Sequence, residues 1–246
     1  MELEICTYTV RACRIAQQEG ADRVELCSAV REGGLTPSVA LMEMVREAIN
    51  IQLFVMIRPR GGDFLYSEEE FEQMKREIVL AKKVGADGVV IGLLNPDGSI
   101  DLSRTRELVE LASPMEVTFH RAFDMVADPS KALEDLIEAG CKRVLTSGGR
   151  NSAPEGIEWL TQLSTQANGR IKIMAGSGVN ASNARSLMDA GVHALHLSGS
   201  SVYEGGMTYR TPNVSMSTAS HLSEYQFVET DPAKVKAMRD VMNEKK

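Results

Sequence analysis

Two acid–apolar–thiol triplets, Glu4-Ile5-Cys6 and Glu25-Leu26-Cys27, hold side chains suited to chemistry. Each lies in a short apolar run that predicts a β-strand, and the two strands are consecutive. Side chains alternate across a strand, so each Glu shares a face with its Cys while Ile5 and Leu26 take the other. If the apolar partners pack against helices, the acids and thiols point to the middle of the fold. A buried carboxylate is costly unless paired, so this pattern predicts a site. Soft thiolates select Cu(I), which makes Cys6 and Cys27 candidate metal ligands. Buried cysteine as a small apolar filler is the competing reading. Neighbouring strands run about 4.8 Å apart. Inward residues of adjacent barrel strands sit a step apart in height, however, so whether the sulfurs share one ion stays open.

A second group of residues suggests proton and anion chemistry. In Arg58-Pro59-Arg60-Gly61-Gly62-Asp63-Phe64 two guanidinium forks precede a Gly pair, a pattern that grips carboxylate or phosphate. A solvated loop with Arg tails is the alternative. Thr118-Phe119-His120-Arg121-Ala122-Phe123-Asp124 places an imidazole near the end of a later strand. Glu25 and His120 are a candidate acid/base pair, with Arg58 as a third catalytic group. A satisfied Glu–Arg–His core network is the rival reading. Gly176-Ser177-Gly178 and Ser198-Gly199-Ser200 follow strands at positions where many barrels hold phosphate. Arg60, Asp63, Arg121, Asp124, Gly176, Ser177 and Ser198 are therefore the ligand-binding candidates. His196 lies on the last predicted strand, two residues before Ser198. Cys13 and Cys141 fit structural roles, and His193 and His221 fit surface or loop positions.

A recurring pattern supplies the scaffold: a helix end, Gly, polar residues, then a buried strand. It appears at Gly20-Ala21-Asp22, Gly85-Ala86-Asp87, Gly140-Cys141-Lys142 and Gly191-Val192-His193. Each Gly fits the left-handed position that closes a helix. Strands are expected near 3–8, 23–28, 52–58, 88–94, 116–121, 143–148, 171–177 and 193–199. Amphipathic helices are expected near 9–19, 38–48, 67–83, 101–111, 129–139, 153–166, 180–190 and 231–244. Ser67 followed by Glu70 reads as a capping box, and Asp128-Pro129 and Asp231-Pro232 read as helix starts. Eight strands alternating with helices predict a single-domain (β/α)8 TIM barrel. No GxGxxG follows the first strand to favour an open dinucleotide-binding sheet. Segment 200–230 is polar and poorly periodic, and is expected as a long loop over the barrel mouth.

With 27 basic and 34 acidic residues the net charge is −7, which argues against nucleic-acid binding. The start Met1-Glu2-Leu3-Glu4 lacks a basic n-region and an apolar h-region. No run reaches the roughly 18 apolar residues of a membrane helix, and the four Cys form no disulfide framework. A cytoplasmic protein with reduced thiols and no membrane partner is expected.

Taken together, residues 58–64 and 118–124, Val-Leu-Thr-Ser-Gly at 144–148 and Glu-Gly-Gly-Leu-Thr-Pro-Ser at 32–38 resemble the copper homeostasis protein CutC family. The likeness runs essentially end to end, including Ser215-Met216-Ser217 and Ser223-Glu224-Tyr225. The resemblance implies a (β/α)8 barrel, a cytoplasmic location, homo-oligomers and a role in copper homeostasis. It also implies Cys6 and Cys27 as the Cu(I) ligands. Some members carry a further Cys after the first, where this chain has Thr7. Two function classes follow: a copper-handling protein, or a metal-independent enzyme acting on a small anionic or phosphorylated metabolite. The partner is accordingly a copper ion or such a metabolite.

Overall fold

The computed structural model of the chain describes residues 1–214 and 223–244. Eight parallel strands close into a barrel: β1 (Glu2–Thr7), β2 (Arg23–Leu26), β3 (Gln52–Met56), β4 (Gly88–Ile91), β5 (Glu116–Phe119), β6 (Arg143–Thr146), β7 (Lys172–Ala175) and β8 (Ala194–Leu197). The expected TIM barrel is present, and each expected strand overlaps an observed one. The outer ring is α1 (Val10–Gln18), α2 (Val39–Ala48), α3 (Glu68–Val84), α4 (Leu102–Ala112), α5 (Pro129–Ala139), α6 (Ile157–Ala167), α7 (Ala184–Asp189) and α8 (Pro232–Asn243).

Local sequence explains the helix boundaries. Ser67 accepts from the Glu70 amide while the Glu70 side chain accepts from the Ser67 amide, so the capping box satisfies two orphan donors. Asp128 and Asp231 cap helices that open with Pro. Gly85 and Gly140 close α3 and α5 with φ of 86° and 90°, where a side chain would be strained.

Strand alternation separates two interiors. Leu3, Ile5, Val24, Leu26, Leu53 and Val55 face outward and pack with the helices in the main core. The inner face holds small apolar clusters, Cys27, Phe54, Met56 and Val90 in one and Leu145, Met174 and Ala194 in the other. Charged groups occupy the rest of the barrel axis. At the base, buried Arg23 reaches Glu2 Oε2 at 3.1 Å and Gln52 Oε1 at 3.3 Å, and also bonds Glu4. Buried Arg143 bonds Glu2 Oε2 at 3.0 Å, and the Phe54 ring lies against both guanidinium groups. This network lets two arginines sit in the interior without leaving their charge unpaired.

The 200–230 segment departs from the loop expected of it. It begins with β9 (Ser200–Glu204) and ends with β10 (Gln226–Thr230), paired antiparallel with Tyr203 opposite Phe227 and their rings stacked at 6.0 Å. Each strand has five residues and its partner lies far along the chain, so local periodicity does not reveal the pair. Residues 215–222 lie outside the described residues, and with them His221 and the Ser215-Met216-Ser217 motif. No helix among the described residues is long and apolar enough to cross a membrane.

Candidate functional site at the barrel mouth

A cavity of about 360 Å³ opens at the C-terminal end of the strands. Its walls include Cys6, Tyr8, Glu25, Arg58, Phe64, His120, Arg121, Ser177, Gly178, His196 and Ser198. The expected catalytic trio Glu25, Arg58 and His120 therefore shares one cavity, together with Cys6.

Strand register explains the thiol geometry. Cys6 on β1 stands opposite Glu25 on β2, one pleat below Cys27. Cys6 Sγ nevertheless lies 3.9 Å from Cys27 Sγ, 3.4 Å from Tyr8 Oη, and Cys27 Sγ lies 3.6 Å from Glu25 Oε2. Cys6 is half-buried and lines the cavity, whereas Cys27 is buried behind it. Gly34 packs against Cys27 with φ of 98°, and a Cβ there would stand 3.1 Å from the Cys27 sulfur.

His196, whose sequence context points to no particular role, completes this cluster. Its Nδ1 lies 2.7 Å from Glu4 Oε1 and its Nε2 lies 3.8 Å from Glu25 Oε2. Donor atoms of Cys6, Glu25 and His196 all lie within 4.8 Å of one another. The only advance signal was the inward parity of position 196, two residues from Ser198. Burial would raise Glu4, but the Arg23 charge and the His196 hydrogen bond bring it down to about 2. Burial opposes charge on His196, yet the acceptors Glu25, Cys6 and Glu4 outweigh it and raise it well above the usual imidazole range. Burial, then negative charge at Cys6, pushes Glu25 well above the carboxylate range. The bond from the Cys27 thiol lowers Cys6 despite burial, and the same bond raises Cys27.

His120 occupies a different wall. Its ring shares no hydrogen bond with Glu25, whose Oε2 lies beside His196. β5 ends at Phe119, and His120 caps the following 3₁₀ turn, accepting the Ala122 amide on Nδ1 at 3.0 Å. That bond leaves the proton on Nε2, which is buried without a hydrogen-bond partner, as is Glu25 Oε1. Burial and the neighbouring Arg58 charge lower His120 to about 3, so the ring is neutral. Phe64 packs between them, 5.0 Å from the His120 ring and 5.1 Å from the Arg58 guanidinium. Gly92 is required here, because a Cβ would stand 2.2 Å from His120 Cε1.

The two arginines of the 58–64 loop part company. Arg58 donates to the carbonyls of Glu32, Gly34 and Gly62, which leaves its charge without a carboxylate partner among the described residues. Arg60 and Asp63 do not line the cavity. Arg60 bonds Glu70 Oε1 at 2.6 Å and Asp63 Oδ1 at 3.0 Å, so these two side chains brace the loop. Asp124 also faces away, holding the amides of Ser147 and Gly149, the Thr146 hydroxyl and Arg121 Nε. Arg121 reaches the cavity wall from that pair. Gly176 packs under Leu145 rather than lining the cavity, while Ser177, with φ of 76°, bonds the Asn151 carbonyl.

A closed (β/α)8 barrel with acids, thiols and imidazoles gathered at its C-terminal mouth defines the class: a TIM-barrel protein with a polar mouth cavity. Within that class, a model of the CutC family matches residues 1–201. A CutC family protein from Chromobacterium violaceum is 47% identical over 242 residues, covering 98% of each chain. The human copper homeostasis protein cutC homolog is 45% identical over 240 residues, covering 97% of this chain and 88% of its own. The solved structure of a CutC protein from Streptococcus agalactiae superposes with a TM-score of 0.77 at 31% identity, over 80% of this chain and 98% of that one. The chain belongs to the CutC family. A thiamine phosphate pyrophosphorylase from Pyrococcus furiosus, 15% identical with a TM-score of 0.59, shares the fold alone.

Proposed function

We propose that the protein handles copper as cargo, with Cu(I) held between Cys6 and Cys27 at the barrel mouth. The observation that carries this is the 3.9 Å separation of the two sulfurs. A metal–thiolate bond is about 2.3 Å long, so both thiols can reach one ion without backbone movement. The donor set is soft, as Cu(I) requires, and His196 is near enough to contribute a nitrogen. Relatives named for copper homeostasis support the same reading. Anaerobic titration of the reduced protein with Cu(I) against a calibrated competing chelator tests it. Stoichiometric binding is expected in the wild type, with affinity weaker by at least ~100-fold in Cys6→Ser/Cys27→Ser, since losing only a hydrogen-bonding partner of a ligand already costs roughly 10–100-fold. Equal affinity in both proteins sinks the copper reading.

A second reading has its own observation. Arg58, His120 and Glu25 line one cavity, and none is explained by a two-thiol metal site. The uncompensated guanidinium favours a small anion, carboxylate or phosphate, and the neutral imidazole offers a proton donor beside it. On this reading the protein is a metal-independent enzyme acting on a small anionic metabolite. Binding of succinate or inorganic phosphate by calorimetry, abolished in Arg58→Gln, is the expected result. The absence of binding by both anions counts against it.

A further inference from the structure

Cys6, His196 and Glu4 stand in the order nucleophile, base and orienter. Glu4 Oε1 holds His196 Nδ1 at 2.7 Å, which turns Nε2 toward the side occupied by Cys6 and Glu25. Glu4 is itself fixed by Arg23, which Glu2 secures at 3.1 Å from the barrel base. Of the two thiols only Cys6 lines the cavity. We infer that Cys6, His196 and Glu4 form a catalytic triad for acyl transfer, in which Cys6 attacks the carbonyl of a small anionic ester or thioester. This rests on the second reading, that the cavity receives a small anion, and it adds the nucleophile, base and reaction class which that reading lacks.

The chemistry balances with water as the sole co-reactant. Cys6 gives its thiol proton to His196 Nε2 as its sulfur lone pair forms a C–S bond and the carbonyl π pair moves to oxygen. His120 Nε2–H, unpartnered on the same cavity, is the neutral donor for that oxygen. Collapse restores the carbonyl and breaks the bond to the leaving group, which takes a proton from His196 Nε2. Water then attacks the thioester and gives a proton to His196. The C–S bond breaks to release the acid, and the Cys6 sulfur takes the proton back from His196. Arg58 seats the substrate's anionic group, and a volume of about 360 Å³ restricts substrates to small molecules. Cys27 is a thiol neighbour of the nucleophile with no part in bond making.

The alternative is a structural Glu4–His196 pair, and the test separates the two. Reduced full-length protein, with a copper chelator present, is treated with p-nitrophenyl acetate. Nitrophenolate release is followed, and the acetylated peptide is identified by mass spectrometry. Acetylation confined to Cys6 is expected, slowed about 100-fold in His196→Ala. Added imidazole restores the rate in that variant, which a merely structural histidine would not permit. Glu4→Gln slows the reaction if it folds. Acetylation of Cys6 at the rate of free cysteine, or unchanged in His196→Ala, overturns the triad. Succinate separates the two readings. Protection of Cys6 that is lost in Arg58→Gln supports both. His196-dependent acetylation without protection keeps the triad and removes the anion seat. Arg58-dependent succinate binding with an inert Cys6 does the reverse.

Discussion

His120 gives the clearest case of one side chain whose environment sets its chemistry. Burial and the Arg58 charge hold its pKa at about 3, while the unfolded chain titrates near 6.5. The depressed value means the folded ring stays neutral between those limits while the unfolded ring takes a proton. Stability linked to His120 is therefore complete above pH 6.5 and falls as pH drops toward 3. By pH 5 the loss is about 2 kcal/mol. Urea unfolding at pH 7 and pH 5, wild type beside His120→Gln, reads this as a difference in slope. Equal slopes would show that the ring is not held neutral. His196, raised rather than lowered, contributes with the opposite sign and is unchanged by that substitution.

At the scale of the element, the loop after β6 depends on one carboxylate. Asp124 belongs to the turn after β5, yet its oxygens accept from two amides and two hydroxyls of residues 146–149 and from Arg121. Charged hydrogen bonds of this kind contribute about 1.5–3 kcal/mol when one partner is removed. Asp124→Asn keeps the shape but loses the charge and one acceptor. A decrease of about 2 kcal/mol in unfolding free energy is expected by denaturant titration. Because Asp124 anchors Arg121 to the cavity wall, succinate affinity should fall in the same variant. A stability change within about 0.5 kcal/mol, as at ordinary surface positions, would contradict this account of the loop.

Across the whole molecule, the barrel axis is a continuous polar column from base to mouth. Glu2, Arg23 and Glu4 link Arg143 at the base to His196 and the thiol cluster. Removing one member strands its partner in the interior. Glu4→Gln is expected to cost about 3–5 kcal/mol, the scale for breaking a buried pair. Arg23→Met should be similarly destabilising, while the double variant recovers part of the loss because neither charge is left alone. A double-mutant cycle by urea unfolding checks this, and strict additivity would mean the two residues are not coupled.

The inward parity of Glu4, Cys6, Glu25 and Cys27 is legible in the sequence because alternation along a strand is a local property of each backbone. The helix starts at Ser67, Asp128 and Asp231 are legible for the same reason, since a cap bonds within one turn. Partnership across the barrel is not local. His196 meets Glu4 because β8 closes against β1, which sets Glu4 opposite His196 across 192 residues of chain. Glu25 and His120 both line the cavity without a hydrogen bond between them, since one stands on β2 and the other follows β5. Arg58 and Arg60 look alike in the motif, and only loop packing turns one to the cavity and the other to Glu70 and Asp63. Residue type and parity thus set which groups enter the interior. Closure, stagger and loop packing decide which of them meet, since these depend on all eight strands at once.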